Sequence, residues 1–219
     1  VQGPKAAHIL AKIFGERIYS IKKFNFDYFS LDGSSQLIAK TGYSRIGGFE
    51  IYLSRPELGK HLWETILEVG RSENIRPGSP NIIDRVEAGL LSYGNEMTVE
   101  NTPLECNMDK FVDINKEVDY IGKKVLLRQI KYGVKRRIRG AIYEGPELPT
   151  ISTPLQVFDT DKRTIVGSLT SGAFSPHFKS NIGLGMIGYR CWDNNKEIFV
   201  KISDQEFRKG LIKDLPLIQ

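Results

Sequence analysis

The spacing of predicted strands in the C-terminal part of the chain constrains its fold more than any other feature. After Arg136 the sequence contains short runs rich in β-branched and aromatic residues, separated by turn residues. We predict strands over residues 139–143, 155–158, 164–171, 182–188 and 198–202. Consecutive short strands separated by turns are typical of a small barrel, a closed sheet that has no unpaired edge. Residues 137–219 are therefore predicted to form a small β-barrel.

Residues 1–136 mix helices with strands, so the chain as a whole is predicted to be α+β. Apolar residues recur there at helical spacing between start signals such as Pro4 and stop signals such as Gly15. We predict helices over residues 4–15, 54–70, 79–89 and 124–132, and strand-like segments over residues 18–29 and 36–42. The second helix is predicted to begin with a capping box at Ser54 and to bury Trp63 in the core.

The most informative strand lies in residues 41–53, which read TGYSRIGGFEIYL. Strict alternation of apolar residues follows the glycine pair, at Phe49, Ile51 and Leu53. This alternation predicts a half-buried strand whose other face carries Glu50 and Tyr52. A carboxylate beside an aromatic ring can bind a flat polar heterocycle by its edge and its face. We therefore interpret Glu50 and Tyr52 as a recognition pair.

Composition indicates a folded globular protein. The chain has 219 residues, of which 40% are hydrophobic and 26% are charged. No apolar run is long enough to cross a bilayer, and the N-terminal residues lack the features of a signal peptide. We expect a cytoplasmic protein that has no membrane partner.

The cysteines and histidines do not suggest a catalytic or metal site. Cys106 and Cys191 lie far apart, and the three histidines are similarly dispersed. This spacing fits no metal centre, no redox pair and no nucleophile with a histidine base. We predict that both thiols are buried and free and that the chain binds no metal.

The formal net charge is +5, and the densest basic stretch covers Lys131 to Arg139. Neither interleaved aromatic residues nor a reader motif accompanies this stretch, so nucleic-acid binding is not predicted. A solvated basic face is favoured, and attraction of anionic ligands is the open alternative. Residues 183–188 satisfy the pattern G-x-G-x-x-G, but no convincing helix follows, so we predict a barrel strand and turn there.

Four ordered motifs resemble the folate-binding T-protein family. They are VQGPKA at residues 1–6, TGYSRIGGFEI at 41–51, RVEAGLLSYGNEMTVENTPLE at 85–105 and TSGAFSP at 170–176. The resemblance spans nearly the whole chain and depends on several motifs in order, which makes it more specific than any single pattern. It implies a T-protein-like folate-binding α/β part over residues 1–136, followed by the C-terminal barrel. It also implies tetrahydrofolate as the cofactor.

The resemblance assigns roles to residues of the key strand. Glu50 is expected to read the edge of the pterin ring, where an exocyclic amine lies beside a ring N–H. Tyr52 is expected to border the pterin or to attract a sulfonium substrate through a cation–π contact. Without the family motif, Glu50 would be read as an exposed strand glutamate and Tyr52 as a packing residue. Phe24, Phe26 and Tyr28 alternate on a predicted strand, and core packing is favoured there over a role in lining the substrate cavity.

Two further residues are folate-binding candidates. Arg85 lies in the RVEAG motif, whose arginine contacts folate in the family. The alternative for this arginine is an ion pair on a helix surface with Asp84 or Glu87. Tyr93 follows in SYGNE and is the weaker candidate, because a tyrosine before a glycine can simply pack a turn.

Within the family, the sequence resembles the dimethylsulfoniopropionate demethylases more than the aminomethyltransferases. Aminomethyltransferases typically read TGYTGEDGFEI where this chain reads TGYSRIGGFEI. The implied reaction is methyl transfer from dimethylsulfoniopropionate to tetrahydrofolate. The alternatives are the aminomethyltransferase, which docks a lipoyl carrier protein, and a non-catalytic folate-binding protein of iron–sulfur cluster maintenance. The K-G-C-Y-x-G-Q signature of the latter is absent.

The resemblance also implies a partner for these residues. Family members carry an α/β segment before VQGPKA, and this segment supplies an aspartate beside the reacting folate nitrogen. We therefore expect the N-terminal half of the same protein as a partner and assign no catalytic residue within the 219 residues. The sequence does not distinguish a monomer from a homo-oligomer.

Overall fold

The computed structural model describes residues 1–44, 46–79 and 81–218. It divides into two compact units, Val1–Asn81 and Ile82–Gln219. The barrel lies within the second unit and begins at Arg136. The domain boundary near residue 136 stays a prediction.

The first unit combines two helices with a small antiparallel sheet. Its elements are α1 (Ala6–Phe14), β1 (Phe26–Leu31), β2 (Ser34–Ala39), β3 (Glu50–Tyr52) and α2 (Leu58–Val69), with short 3-10 helices at Glu16–Ser20 and Arg71–Glu73. The strand order is β1-β2-β3. Asp32 and Gly33 connect β1 to β2 with φ angles of 49° and 72°. Positive φ at both turn residues matches the twist of a two-residue hairpin.

The core of the first unit lies between α1 and the sheet. Its buried residues are Ala6, Leu10, Ile18, Ile21, Phe29, Ile38 and Phe49. Helix α1 ends as predicted, because Gly15 adopts a φ of 87° and its N–H donates to the Ala11 carbonyl at 2.8 Å. The residues from Glu16 to Ser20 form a 3-10 helix, so the strand-like segment predicted from residue 18 begins only at Phe26.

Two predictions for helix α2 are wrong. Trp63 is exposed, since it follows the buried Leu62 by one position and so lies about 100° around the helix from the buried side. Ser54 does not cap the helix. Its N–H instead donates to Oε1 of Gln36 at 2.8 Å. This bond ties the segment that follows β3 to β2.

The second unit contains helices α3 (Ile82–Glu87) and α4 (Lys123–Tyr132), with a short 3-10 helix at Asp109–Phe111 between them. The helix predicted over residues 79–89 is therefore shorter, and Pro80 lies outside the described residues. Six strands follow: β4 (Arg136–Tyr143), β5 (Leu155–Phe158), β6 (Ile165–Ser175), β7 (Ser180–Gly188), β8 (Glu197–Lys201) and β9 (Phe207–Lys213). They close into a barrel in the order β4-β7-β6-β5-β8-β9.

The small C-terminal barrel is thus confirmed, but strand β9 was missed. Arg208 and Gly210 occupy two of its buried positions and Ile212 the third, so apolar residues mark its buried face only in part. The barrel interior is filled by Ala141, Tyr143, Val157, Leu169, Ile187, Cys191, Ile198, Val200 and Ile212. Outside it, Val86 of α3 packs against Ile182 and Leu184 of β7.

Strand β7 contains the glycine-rich pattern of residues 183–188. Gly185 lies so close to β6 that a Cβ atom would stand 1.8 Å from the Ser168 carbonyl oxygen. These glycines permit close strand packing, and the prediction of a strand at this position is confirmed.

Cys106 and Cys191 are free and buried, and burial is the main cause that raises the pKa of each thiol, to about 11 for Cys191. The expectation of a solvated basic face holds for Arg136, whose side chain is 46% exposed, whereas Arg137 and Arg139 are half-buried. Arg136 pairs with Glu105, Arg139 pairs with Asp214, and Arg137 stacks on Trp192.

In the described ranges, no helix has the length and apolarity that crossing a membrane requires.

Candidate functional site

The predicted face of strand β3 is present in the first unit. Glu50 lies opposite Ala39 of β2, and Tyr52 lies opposite Leu37. Phe49, on the other face, is fully buried, whereas Glu50 is half-buried and Tyr52 is exposed. The alternation in the sequence therefore identified correctly which side of the strand faces solvent.

Aromatic residues of β1 extend this face across the sheet. Phe26 lies opposite Ala39 and Tyr28 opposite Leu37, so two cross-strand rows form: Phe26–Ala39–Glu50 and Tyr28–Leu37–Tyr52. The rings of Phe26 and Tyr28 pack edge to face at 5.9 Å. Residues directly opposite one another share a sheet face. We call these two rows the aromatic face.

The favoured assignment of the β1 aromatic residues to the core is wrong. Phe26, Tyr28 and Tyr52 are 57%, 55% and 56% exposed, and Phe24 precedes the strand and is exposed as well. Apolar residues occupy both sides of β1, because Phe29 points inward while Phe26 and Tyr28 point outward. Periodicity alone could not decide which side was buried.

Hydroxyl groups orient the carboxylate of Glu50. The Thr41 hydroxyl donates a hydrogen bond to Oε2 of Glu50, and the Tyr52 hydroxyl donates to the same oxygen at 3.5 Å. The carboxylate is thus held at the boundary between protein and solvent. An oriented carboxylate of this kind can accept from two adjacent N–H groups on the edge of a heterocycle.

The loop that leads into β3 is tied down by Gln2, a residue for which the sequence suggested no role. Gln2 Oε1 accepts a hydrogen bond from the Ser44 hydroxyl at 2.9 Å, and its Nε2 donates to the Thr41 carbonyl at 3.3 Å. Gly48 forms a bridge with Gln2 at a φ of 146°, where a Cβ atom would lie 2.3 Å from the Val1 carbonyl oxygen. These contacts hold the loop that places Thr41 beside Glu50.

Arg85, in the second unit, is buried and belongs to a bidentate ion pair. Its Nη1 donates to Oε2 of Glu96 at 2.8 Å and to the Leu90 carbonyl at 2.8 Å, while Nη2 donates to Oε1 of Glu96 at 3.2 Å. The alternative of a helix-surface pair with Asp84 or Glu87 is therefore wrong. The guanidinium is held by a residue that lies beyond the end of its helix.

Glu96 is the centre of this arrangement. Its Oε2 accepts from the Ser92 N–H at 2.7 Å, and its Oε1 accepts from the Thr170 hydroxyl of β6 at 3.5 Å. Burial acts to raise the pKa of Glu96. Hydrogen bonds from Arg85, Ser171 and the Ser92 N–H, together with the charge of Arg85, outweigh burial and hold the pKa below its usual value. Glu96 is therefore ionised at neutral pH.

Tyr93 projects from the loop that Glu96 organises. Its side chain is 67% exposed, so the alternative in which this tyrosine packs a turn is wrong. Gly94 follows with a φ of 93°, its N–H donates to the Met97 carbonyl at 2.8 Å, and Tyr93 bridges to Met97. These two contacts close the Ser92–Met97 loop from which the exposed Tyr93 ring projects.

The structure thus joins the predicted residues in two pairs, each within one unit. Glu50 and Tyr52 share the aromatic face, and Arg85 is linked to the Tyr93 loop through Glu96. Their contacts with folate stay predictions. Sequence reasoning missed Thr41 and Glu96. Both residues lay within quoted motifs, but no spacing rule connects Glu96 to an arginine that precedes it by 11 residues.

No metal centre is seen in this part of the molecule. Across residues 1–44, 46–79 and 81–218, no three His, Cys, Asp or Glu side chains stand together in a group that could hold a metal ion.

Comparisons with known proteins place this arrangement in a family. The model of the GCVT N-terminal domain matches residues 1–116, and that of the Glycine cleavage T-protein C-terminal barrel domain matches residues 136–216. Dimethylsulfoniopropionate demethylase of Ruegeria pomeroyi is 42% identical over 192 residues, which is 88% of this chain and 51% of that protein. Aminomethyltransferase of Caldanaerobacter subterraneus is 37% identical over 215 residues, which is 97% of this chain and 56% of that protein.

A solved structure shares the fold. The crystal structure of glycine cleavage system aminomethyltransferase T from Bartonella henselae superposes with a TM-score of 0.81 at 24% identity, covering 99% of this chain and 58% of that chain. The present chain thus spans about half the length of the relatives it matches, from 51% to 56% in the two curated proteins above. The matches to both family domains, which follow one another over residues 1–116 and 136–216, show that this chain belongs to the glycine cleavage T-protein family.

Proposed function

We propose that the protein to which this chain belongs is a tetrahydrofolate-dependent methyltransferase. The observation that carries the proposal is the oriented carboxylate of Glu50 beside the exposed ring of Tyr52 on the aromatic face. The pterin ring of tetrahydrofolate is flat and presents an exocyclic amine next to a ring N–H. An ionised carboxylate matches these two donors, and aromatic side chains offer apolar contact to the ring.

Arg85 and Tyr93 are proposed to take part in folate binding. The Arg85 guanidinium is held in a fixed orientation, but its charge is paired with Glu96 and its side chain is 8% exposed, so the assignment depends on the family motif and not on free charge. Tyr93 presents an exposed ring from the loop that Arg85 and Glu96 hold. The family motif around Arg85 supports this assignment.

We further propose that the methyl donor is dimethylsulfoniopropionate. This chain is 42% identical to a dimethylsulfoniopropionate demethylase and 37% to an aminomethyltransferase. In the reaction, the bond between sulfur and the methyl carbon breaks and its electron pair returns to sulfur. A new bond joins the methyl carbon to N5 of tetrahydrofolate, and the N5 proton is released. The products are methylmercaptopropionate and 5-methyltetrahydrofolate.

The main requirement that this reaction places on the protein is alignment of the two substrates. A sulfonium releases a neutral thioether, which is a good leaving group, and holding nitrogen, methyl and sulfur in line can contribute roughly 7 to 11 kcal/mol in favourable cases. The N5 proton passes to water or to a group outside the 219 residues. The described residues therefore bind and orient the two substrates, and none of them is assigned a catalytic role. Residence in the cytoplasm stays a prediction.

Product analysis tests the reaction. The whole protein is incubated with tetrahydrofolate and dimethylsulfoniopropionate, and the folate product is identified by mass spectrometry. 5-Methyltetrahydrofolate is expected.

The second candidate is the aminomethyltransferase, which is favoured by a match over 97% of this chain. Formation of 5,10-methylenetetrahydrofolate from an aminomethyl-lipoyl carrier, without demethylation of the sulfonium, would establish it instead. Folate binding without either product would favour the third, non-catalytic candidate.

Substitution of Glu50 tests the folate assignment. In Glu50→Gln one acceptor oxygen becomes a donor that faces another donor, so folate binding should weaken by about 1 to 3 kcal/mol. Glu64→Gln is a matched control, because Glu64 is an exposed acid on α2 of the same unit. Equal folate affinity in both variants would refute the assignment of Glu50.

A further inference from the structure

The Arg85–Glu96 pair invites an explanation other than stability. The side chains are 8% and 0% exposed, and each charge has lost most of its contact with water. Removing two charges from water costs several kcal/mol, and well-packed apolar residues often stabilise such a position equally well. A buried ion pair is therefore better evidence for fixed geometry than for stability.

The contacts of Glu96 connect three separate segments. The carboxylate receives Nη1 and Nη2 of Arg85 from α3, the Ser92 N–H from the following loop and the Thr170 hydroxyl from β6. Arg85 in turn donates to the Leu90 carbonyl, at the start of the same loop. One carboxylate thus fixes both the plane of the guanidinium and the path of the backbone that leads to Tyr93.

We propose that Glu96 is a positioning residue for the ligand of this site. It holds the Arg85 guanidinium in a single orientation and keeps the Ser92–Met97 loop closed, so that Tyr93 is presented to solvent. Glu96 acts through these two residues and does not itself contact the ligand. This inference rests on the proposed function, because the ligand that Arg85 and Tyr93 would meet is tetrahydrofolate.

A second buried carboxylate supplies the comparison that separates positioning from stability. Glu87 lies on α3 and is buried to a similar extent. Its carboxylate accepts the Ser175 hydroxyl at 2.5 Å, and its backbone carbonyl accepts the N–H groups of Leu217 and Ile218. Replacing the Glu87 carboxylate should lower stability without releasing the loop that carries Tyr93.

The experiment compares Glu96→Gln, Glu96→Asp and Glu87→Gln in the whole protein. Amide hydrogen exchange is followed for Ser92–Met97, the dissociation constant of tetrahydrofolate is measured, and methyl transfer gives KM and kcat. Glu96→Gln should speed exchange in the loop and raise both the dissociation constant and the folate KM about tenfold, with kcat at saturating folate changed less than about twofold. Glu96→Asp should fall between wild type and Glu96→Gln, because it keeps the charge but shortens its reach.

Each outcome is informative. Glu87→Gln is expected to lower the melting temperature while leaving loop exchange and folate affinity unchanged. Unchanged folate affinity in a folded Glu96→Gln protein would overturn the positioning role, as would an equal loss of affinity in Glu87→Gln. Should Glu96→Gln fail to fold, Glu96→Asp provides the same test. Failure of the wild-type protein to bind tetrahydrofolate would refute the proposed function, and loop exchange in Glu96→Gln would still decide whether Glu96 holds the loop.

Discussion

The hydroxyl of Thr41 donates a hydrogen bond to Oε2 of Glu50, from the loop that precedes β3. This contact orients the Glu50 carboxylate as a hydrogen-bond acceptor. The side-chain amide of Gln2 donates to the Thr41 carbonyl and so holds the Thr41 backbone. The orientation of Glu50 therefore depends on a residue near the start of the chain. The proposed pterin contact is therefore built from three segments of the first unit.

Removing this hydroxyl should weaken folate binding. Thr41→Val keeps the shape of the side chain but cannot donate to Glu50, and the loss is expected to be about 1 kcal/mol, or about fivefold in the dissociation constant. Thr41→Ser, which keeps a hydroxyl, is the control and should bind folate nearly as tightly as wild type. Equilibrium binding of tetrahydrofolate checks both. Identical affinities for the valine and serine variants would contradict the role of Thr41.

Tyr52 should distinguish between its two proposed roles. A ring that faces a sulfonium contributes about 0.5 to 2 kcal/mol through a cation–π contact, so Tyr52→Ala should raise the KM for dimethylsulfoniopropionate more than the dissociation constant of folate. Tyr52→Phe keeps the ring, loses the hydroxyl that donates to Glu50, and should preserve use of the sulfonium. Equal losses for both ligands in Tyr52→Ala would place the ring beside the pterin instead.

Glu96 should make folding stability depend on pH. Its pKa in the folded protein lies below the usual value of 4.5, so the unfolded chain binds the proton more readily. The stability that Glu96 contributes is present above its unfolded pKa and is lost as pH falls through the lower, folded pKa. Thermal unfolding should therefore show a steeper fall in melting temperature below pH 4.5 for wild type than for Glu96→Gln. Parallel pH profiles for the two proteins would contradict this expectation.

Gly185 should be required for barrel packing. In Gly185→Ala the new Cβ atom would stand 1.8 Å from the Ser168 carbonyl oxygen, so β6 and β7 must separate. A loss of roughly 1 to 3 kcal/mol in the free energy of unfolding is expected from such overpacking. Gly188→Ala, on the same strand, is the control, because its nearest contact would be the Val166 carbonyl oxygen at 3.2 Å. Denaturant unfolding of both variants measures the difference, and equal stabilities would show that β7 tolerates the shift.

Some of the site was predictable because local periodicity determined it. Phe49 is buried while Tyr52 is exposed, as strict alternation on a short strand requires. The aromatic residues of β1 were not predictable in the same way. Phe26, Tyr28 and Phe29 offer apolar side chains to both sides of the strand, and only pairing with β2 decided which side met α1. Strand β9 was missed for a related reason, since Arg208 and Gly210 occupy inward positions.

The sequence by itself determined the four helices, the barrel strands other than β9, the solvent-facing side of β3 and the motifs by which the family can be recognised. These properties depend on neighbours along the chain, whose spacing fixes which side chains share a face. The tertiary structure alone decided that Thr41 orients Glu50, that Gln2 ties down the loop before β3 and that Glu96 is the partner of Arg85. Such contacts join loops to strands and helices without any repeating spacing. Their partners are selected by burial and hydrogen bonding, which exist only once the chain has folded.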